Sequence, residues 1–97
     1  MKYPKEYLDE IKTRLKVSTV VSKSVKLKKR GKEFVGLSPF KTEKTPSFTV
    51  NDEKGFYHCF STAEHGNIFD FIMKTQNLKF GESVKFLANL AGMRPYS

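Results

Sequence analysis

The stretch VKLKKRGKEFVGLSPFKTEKTPSFTV, residues 25–50, decides how this chain is expected to fold. Its first half alternates apolar and basic residues on both sides of Gly31, which is typical of a β-hairpin with a basic turn. Its second half is a loop that contains Pro39 and Pro46 and leads into the short run SFTV. A polar turn, NDEKG, separates SFTV from FYHCF, so residues 47–60 predict a second hairpin with aromatic side chains on both faces.

Helices are predicted on either side of the two hairpins. The N-terminal segment has Pro4 at its start, acids early, cations late and apolar residues at helical spacing, which predicts a helix of about three turns. Ser18 is expected to cap a second, short turn, and Asn67 to cap a longer helix. A last helix is expected to stop at Gly92. The sequence therefore predicts one α+β domain over residues 1–97: a small, ribbon-like antiparallel sheet of two hairpins, flanked by an N-terminal helix and two C-terminal helices.

Composition limits the class of protein. The chain has 97 residues, 38% of them hydrophobic, with nine Phe and four Tyr, which suffices for a modest core. Its single cysteine excludes an internal disulfide and a four-thiolate metal site, and this fits a reducing cytoplasm. No apolar run approaches the roughly 20 residues that span a bilayer, and acids stand where a signal peptide is apolar. We expect a cytoplasmic chain without a membrane partner.

Positive charge is concentrated in one part of the chain. The net charge is +8, and nine Lys or Arg residues lie between Ile11 and Lys32 without a single Asp or Glu. A block of one sign points to a polyanionic partner, although a solvated, solubilising face is an equally ordinary reading. A membrane surface is a weaker reading, because the cations from Lys26 to Lys32 follow a strand-like pattern instead of an amphipathic helix.

The two loops GLSPFKTEKTPSF and FYHCFSTAEHGN each cap the end of a predicted hairpin, as the paired knuckles of a zinc ribbon do. The segments VKLKKRGKEFVGLSPFKTEKTPSFTV and GFYHCFSTAEHGNIFDFIMK are similar to the N-terminal zinc-binding domain of bacterial DNA primase. The resemblance runs from about Pro4 to Gly92. It implies a zinc-ribbon fold and a role in contacting single-stranded template and choosing the initiation sequence for a separate polymerase domain, which makes an RNA primer.

This sequence departs from the family at the metal ligands, which are Cys, His, Cys and Cys in the family pattern. The matching positions are Ser38, Lys41, Cys59 and Thr62, so one ligand of four remains. Structural zinc needs four deprotonated sulfur or nitrogen donors. The neighbouring histidines do not rebuild the site, because His58 and Cys59 should point to opposite faces of a strand and His65 adds a donor to the same knuckle only. We expect no zinc, and no cofactor in this domain.

A different set of contacts is then expected to hold the two knuckles together. Lys41 is expected to reach Glu64 or Glu43, while the hydroxyls of Ser38 and Thr62 close hydrogen bonds. Most of the stability should come from apolar packing by six rings, each contributing on the order of 1.5–3 kcal/mol if well buried: Phe40, Phe48, Phe56, Phe60, Phe69 and Phe71. Cys59 is expected to be a small buried residue, neither a metal ligand nor a catalytic thiol.

Cations beside exposed rings are what single-stranded DNA binding requires. The expected interface is a cationic strip next to rings drawn from Phe34, Phe48 and Tyr57, shaped by Pro46; the strip comprises Lys26, Lys28, Lys29, Arg30, Lys32 and Lys44. The resemblance maps the family's template-contacting positions onto Lys28, Lys32 and Lys44. Most of the nine Phe residues are expected to be core.

The ten acids are scattered, so the chain is not expected to catalyse phosphoryl transfer, which needs an acidic cluster that holds Mg²⁺. The resemblance implies that the chain is a fragment of a longer primase. It implies that Mg²⁺ is bound in the polymerase domain, that this domain is a partner in cis or in trans, and that the replicative helicase binds through the remaining C-terminal part. Two alternatives stay open: a stand-alone nucleic-acid-binding module, and a pure protein-interaction domain without priming activity. The density of charge from Lys26 to Lys32 argues against the second.

Overall fold

The computed structural model describes residues 3–96, in which four helices flank a five-stranded sheet. The helices are α1 (Lys5–Arg14), α2 (Val17–Val21), α3 (Ile68–Gln76) and α4 (Phe80–Leu90). The strands are β1 (Lys28–Arg30), β2 (Glu33–Gly36), β3 (Phe48–Asn51), β4 (Phe56–Cys59) and β5 (His65–Gly66). None of these helices is long and apolar enough to cross a membrane. The α+β class and the flanking helices are confirmed.

The sheet is an antiparallel meander in the order β1-β2-β3-β4-β5. Both predicted hairpins are present, and Gly31 adopts φ +64° in the tight turn between β1 and β2, a conformation that glycine takes without steric cost. The hairpins are joined through β2 and β3, where Phe34 lies opposite Val50. The short β5 adds a fifth strand beside β4, with His65 opposite His58. The sequence predicted each hairpin but neither of these two pairings.

One face of the sheet is covered and the other is open. Because successive side chains of a strand alternate, Phe48 and Val50 of β3 and Tyr57 and Cys59 of β4 all point to the covered face, where each is 0% exposed. Helices α2 and α3 contact this side of the sheet, α4 packs on α3, and α1 packs on α4. The helices contribute their own buried residues to the same core, among them Ile11, Val21, Phe71 and Leu87.

The rings expected in the core divide between the two faces. Phe48, Phe69 and Phe71 are 3% exposed or less, as predicted, and Phe40 is partly buried with its ring centroid 6.0 Å from that of Phe48. The prediction was wrong for Phe56 and Phe60, which are 45% and 69% exposed. The reason is parity, since Tyr57 and Cys59 take the buried positions of FYHCF and leave the alternate residues on the open face.

Helix ends agree with the sequence in two places and differ in one. The Asn67 side chain accepts hydrogen bonds from the amides of Phe69 and Asp70, and the Asp70 carboxylate accepts one from the Asn67 amide, which completes a capping box for α3. Helix α4 ends before Gly92, as predicted. Ser18 does not cap α2, which already begins at Val17. Its amide and hydroxyl instead donate to the Asp52 carboxylate at 2.8 and 2.6 Å, and this ties α2 to the turn between β3 and β4.

Candidate nucleic-acid interface

The open face of the sheet carries a continuous row of side chains across all five strands. Residues that lie opposite one another in an antiparallel sheet point to the same side, so the observed register places the row Lys28, Val35, Thr49, His58 and His65 on this face. A second row adds Arg30, Glu33, Asn51 and Phe56. We use the term open face for these two rows together with Phe60, which continues the alternation of β4.

Exposed rings stand on the open face. Phe56 and Phe60 flank His58, and the rings of His58 and Phe60 meet edge to face with centroids 4.3 Å apart. A surface-exposed edge-to-face pair of this kind presents flat apolar surface to solvent. Both phenylalanines were expected in the core from the sequence. The alternation around the buried Cys59 was the signal that could have found them.

The cations of the basic hairpin do not form one strip. Lys28 and Arg30 point to the open face, whereas Lys29 points to the other side, where its Nζ lies 5.9 Å from the centroid of the Phe34 ring. This split corrects the expectation of a single strip, and it follows from the alternation of side chains in β1. Lys26 and Lys32 lie just outside β1 and are exposed, as is Lys44 on the long loop between β2 and β3.

The aromatic residues proposed to meet DNA are placed differently from the prediction. Tyr57 is 0% exposed, and its ring stacks on that of Phe48 at 5.4 Å, so the expectation that either is an exposed ring was wrong. Burial raises the pKa of the Tyr57 hydroxyl. Phe34 is half-buried on the covered side, opposite Val50, where it packs against the core. The exposed rings of the sheet are instead those on the open face, Phe56 and Phe60.

Pro46 lies where the long loop approaches β1. It lines a hollow of about 340 Å³ together with Val35, Thr45 and the three residues of β1, Lys28–Arg30. The proline restricts the backbone of the loop at this point, so the wall of the hollow is held in place. The predicted role of Pro46 in shaping the loop beside the basic hairpin fits this position.

A polar cluster occupies the ends of the two hairpins, where the family's ligand positions come together. The Cys59 thiol donates to Ser38 Oγ at 3.2 Å, and Ser47 Oγ lies 2.9 Å from Ser61 Oγ. The Glu43 carboxylate accepts hydrogen bonds from the amides of Ser38 and Ser47 at 2.8 and 3.1 Å and from the Ser47 hydroxyl at 2.7 Å. We call these five residues the polar clasp, because they connect the loop before β3 to the end of β4.

The clasp changes the acidity of two of its members. Hydrogen bonds from the Ser47 hydroxyl and the Ser38 amide lower the pKa of Glu43. Burial opposes ionisation of the Cys59 thiol, but hydrogen bonds with the hydroxyls of Ser38, Ser61 and Thr62 outweigh it and lower the pKa to about 6. Cys59 is nevertheless fully buried, as predicted, so its sulfur is not accessible to a substrate.

Lys41 takes no part in this cluster, which corrects the expected pairing. Glu43 is engaged by serine and backbone donors, and Glu64 forms its ion pair with Lys74 of α3 at 2.7 Å. Within residues 3–96, Lys41 forms no ion pair and is exposed. The ammonium group keeps its hydration at the surface, whereas the short hydroxyl side chains reach one another across the knuckles. Thr62 Oγ1 accepts from the Glu64 amide at 3.3 Å, within its own knuckle.

The residues at the four ligand positions do not fit a tetrahedral zinc ion. They offer one thiol, two hydroxyls and one exposed ammonium, whereas structural zinc is bound by thiolate and imidazole. Across the described part of the chain, no three side chains of His, Cys, Asp or Glu come together in a way that could hold a metal. The structure accordingly connects the knuckles by hydrogen bonds.

Comparison with known proteins gives consistent matches over almost the whole chain. The family model described as CHC2 zinc finger matches residues 3–96. The chain is 43% identical over 94 residues to a DNA primase of Haemophilus influenzae, and this match covers 96% of the chain and 16% of the relative. It is 47% identical over 85 residues to a DNA primase of Escherichia coli K12, and that match covers 88% of the chain and 15% of the relative. It thus spans about one sixth of the length of these curated relatives. The crystal structure of the zinc-binding and RNA polymerase domains of the Aquifex aeolicus primase matches with a TM-score of 0.86 and 26% identity, over 93% of this chain and 22% of that chain.

Proposed function

Since the chain belongs to the CHC2 zinc finger family, whose curated relatives here are DNA primases, we propose that it binds the single-stranded DNA template and helps to select the initiation site for RNA primer synthesis. In this proposal residues 1–97 form the single N-terminal, template-binding domain of a longer primase. The chain itself is not catalytic, and the polymerase reaction with its Mg²⁺ belongs to another part of the parent protein.

The observation that carries the proposal is the composition of the open face. Lys28 and Arg30 provide cations that can neutralise phosphates, and Phe56 and Phe60 provide exposed rings within the same sheet. Base–aromatic stacking contributes about 1–3 kcal/mol per base, and it tolerates any sequence because every base has a flat face. A duplex hides these base faces, so rings and cations on one open surface favour a single strand.

Further cations extend the positive field around this face. Lys26 and Lys32 flank β1, and Lys44 stands on the neighbouring loop, where each is exposed. The net charge of +8 adds a long-range attraction that speeds association with any polyanion. We propose that these lysines contact phosphates and thereby position the strand, while the rings hold bases.

We also propose that this domain folds and binds DNA without zinc. The polar clasp performs the connection between the knuckles that a metal makes in a zinc ribbon, and the buried faces of the four helices supply the stability. Dialysis against a chelator such as EDTA should leave the thermal unfolding temperature and the DNA affinity unchanged. One equivalent of zinc in the purified native chain, or unfolding by the chelator, would show that the clasp is not the native connection.

The partners follow from the same assignment. We propose that the domain works in the cytoplasm, presents template to a polymerase domain in cis or in trans, and reaches the replicative helicase only through the parts of the primase outside this chain. No membrane partner is proposed. Template binding is therefore the one activity to measure in the 97-residue chain.

The experiment is a fluorescence anisotropy titration of a labelled single-stranded oligonucleotide at about 50 and 200 mM salt, with the same sequence as a duplex for comparison. If about four cations contact phosphates, the Kd for the single strand should rise roughly 50-fold between the two salt concentrations. Lys28→Ala should reduce the salt dependence by about one phosphate contact. Lys85→Ala, an exposed lysine on α4 remote from the sheet, is the matched control and should not. Absence of binding at low salt, or equal affinity for the duplex, would refute the proposal.

A further inference from the structure

An apolar groove runs along the edge of the sheet where the open face meets the long loop. Its volume is about 550 Å³, within the range of roughly 300–1,000 Å³ that small-ligand sites occupy. Its apolar walls come from the segment before β1, from β2 and from the loop, and they comprise Val25, Leu27, Val35, Leu37, Pro39 and Pro46. The groove is therefore a built concavity with walls from three separate stretches of chain.

Gly36 allows the walls of this groove to come close together. A Cβ atom at this position would lie 2.6 Å from the backbone oxygen of Lys26 and 3.2 Å from the side chains of Leu27 and Val25. Any larger residue would push the segment 25–27 away from β2. The glycine thus keeps one wall in place, and on the other side Leu37 presents its side chain at 47% exposure.

Charge around the groove is of one sign. Lys26 and Lys28 are the charged residues of the groove, and Lys28, Val35 and Pro46 also line the adjoining hollow that contains Lys29 and Arg30. Among residues 3–96, no acid lines either cavity. An apolar concavity whose charged lining residues are both lysines complements a flat apolar group attached to phosphates. A nucleotide has this chemistry, whereas an apolar peptide segment gains nothing from the surrounding lysines.

We propose that this groove is a base-binding subsite that takes one nucleobase of the single strand, with its flanking phosphates against Lys26 and Lys28. The subsite rests on the proposed function and extends it, because Lys28 and Val35 belong both to the groove and to the row that crosses the open face. A strand that stacks on the rings of β4 can continue along this row to the groove. One base is buried there at the sheet edge, while others stack on the open face.

The test couples a change in the protein to a change in the DNA. An oligonucleotide of about 12 nucleotides is prepared with a single abasic site at each position in turn, and its Kd is measured by anisotropy with the wild-type chain and with Leu37→Ser. We expect one position at which the abasic site weakens binding by about fivefold or more in the wild type. Leu37→Ser should weaken the intact strand about three- to tenfold and abolish the sensitivity at that one position.

The matched control is Phe86→Ser, a 43% exposed residue on α4 that should leave the whole abasic profile unchanged. Circular dichroism confirms that both variants are folded. Independently of any variant, the methyl NMR signals of Leu27, Val35 and Leu37 should shift on addition of oligodeoxythymidylate, and those of Leu87 in the helical core should not.

The outcomes distinguish failure of the proposed function from failure of the subsite alone. If the wild-type chain binds no single strand, the proposed function fails and the subsite fails with it. If it binds with the expected salt dependence but Leu37→Ser retains the wild-type abasic profile and the methyl signals of the groove do not move, the subsite alone is wrong. Loss of sensitivity at one position together with shifted groove signals supports it.

Discussion

Replacing Phe60 by alanine separates a binding role from a packing role for an aromatic side chain. Phe60 is 69% exposed, so only about a third of its surface is removed from water, and full burial of a phenylalanine contributes roughly 1.5–3 kcal/mol. The edge-to-face contact with His58 adds about 0.5–1.5 kcal/mol. Phe60→Ala should therefore lower the free energy of unfolding by about 2.5 kcal/mol at most. Phe48→Ala, which empties a 0% exposed position, should lower it by about 3–5 kcal/mol.

Phe60→Ala should affect the affinity for DNA more than Phe48→Ala does, which is the opposite of the order expected for stability. If one base stacks on Phe60, the alanine variant should raise the Kd for a single strand by about 5- to 150-fold. Phe86→Ala, on α4 and 43% exposed, is the control for an exposed ring that lies on a helix instead of the sheet, and its Kd should stay at the wild-type value. Urea unfolding followed by circular dichroism gives the stabilities, and anisotropy gives the affinities. A loss of 3–5 kcal/mol in Phe60→Ala with an unchanged Kd would show that this ring is core.

Three further predictions concern the clasp and the loop. Glu43 has a lowered pKa in the folded state, so its ionisation stabilises the fold above pH 4.5 and this contribution is lost as the pH falls through the folded pKa. Glu43→Gln should thus be less stable than the wild type in urea at pH 7, with a difference that narrows as the pH falls below 4.5; Glu53→Gln, in an exposed turn, should show neither effect. The triple variant Ser38→Cys, Lys41→His, Thr62→Cys should bind one zinc per chain, measured by atomic absorption, because Ser38 Oγ already lies 3.2 Å from Cys59 Sγ. With the metal bound, its Tm should rise by at least about 10 °C. Failure to bind zinc would show that the knuckles do not converge. Lys44→Ala should weaken the single strand less than Lys28→Ala, since Lys44 lines neither cavity beside β1, and an anisotropy titration in which Lys44→Ala has the larger effect would contradict the placement of the strand.

Local pattern was enough to predict the elements of this fold but not all of their connections. Alternation around Gly31 specifies the first hairpin, and Asn67 with Asp70 specifies the start of α3, because the interactions involved lie within a few residues. The pairing of β2 with β3 spans the long loop, and the two-residue β5 depends on its position beside β4. No periodicity in the sequence indicates the β2–β3 and β4–β5 pairings, because they are fixed by the packing of the whole sheet on α2 and α3.

The sequence predicted the exposed cations of the candidate site and a hydrogen bond of the Ser38 hydroxyl between the knuckles. It did not predict the division of the cations between two faces, the exposed rings or the other members of the clasp. The cations are exposed and follow from the sequence, since a lysine block needs no tertiary partner. The choice between Phe56 and Tyr57 as the exposed ring depends on the register of β4 relative to the core, and a shift of one residue reverses it. Lys41 was expected to replace the metal because of its charge, but three serines and Glu43 do so with shorter side chains and backbone amides.

The clasp fixes the position of a loop, whereas the helices provide most of the stability of this fold. Zinc supplies roughly 10–16 kcal/mol to small fingers, whereas one intramolecular hydrogen bond contributes only about 0.5–1.5 kcal/mol net, so the clasp fixes the position of the loop and does not by itself keep the domain folded. Stability has to come from apolar burial, and residues such as Ile11 and Leu87 provide it on helices that lie away from the clasp. None of the open-face residues stands at a ligand position. The open face is therefore held by the sheet and its helical cover, whereas Ser38, at a ligand position, lines the groove beside it.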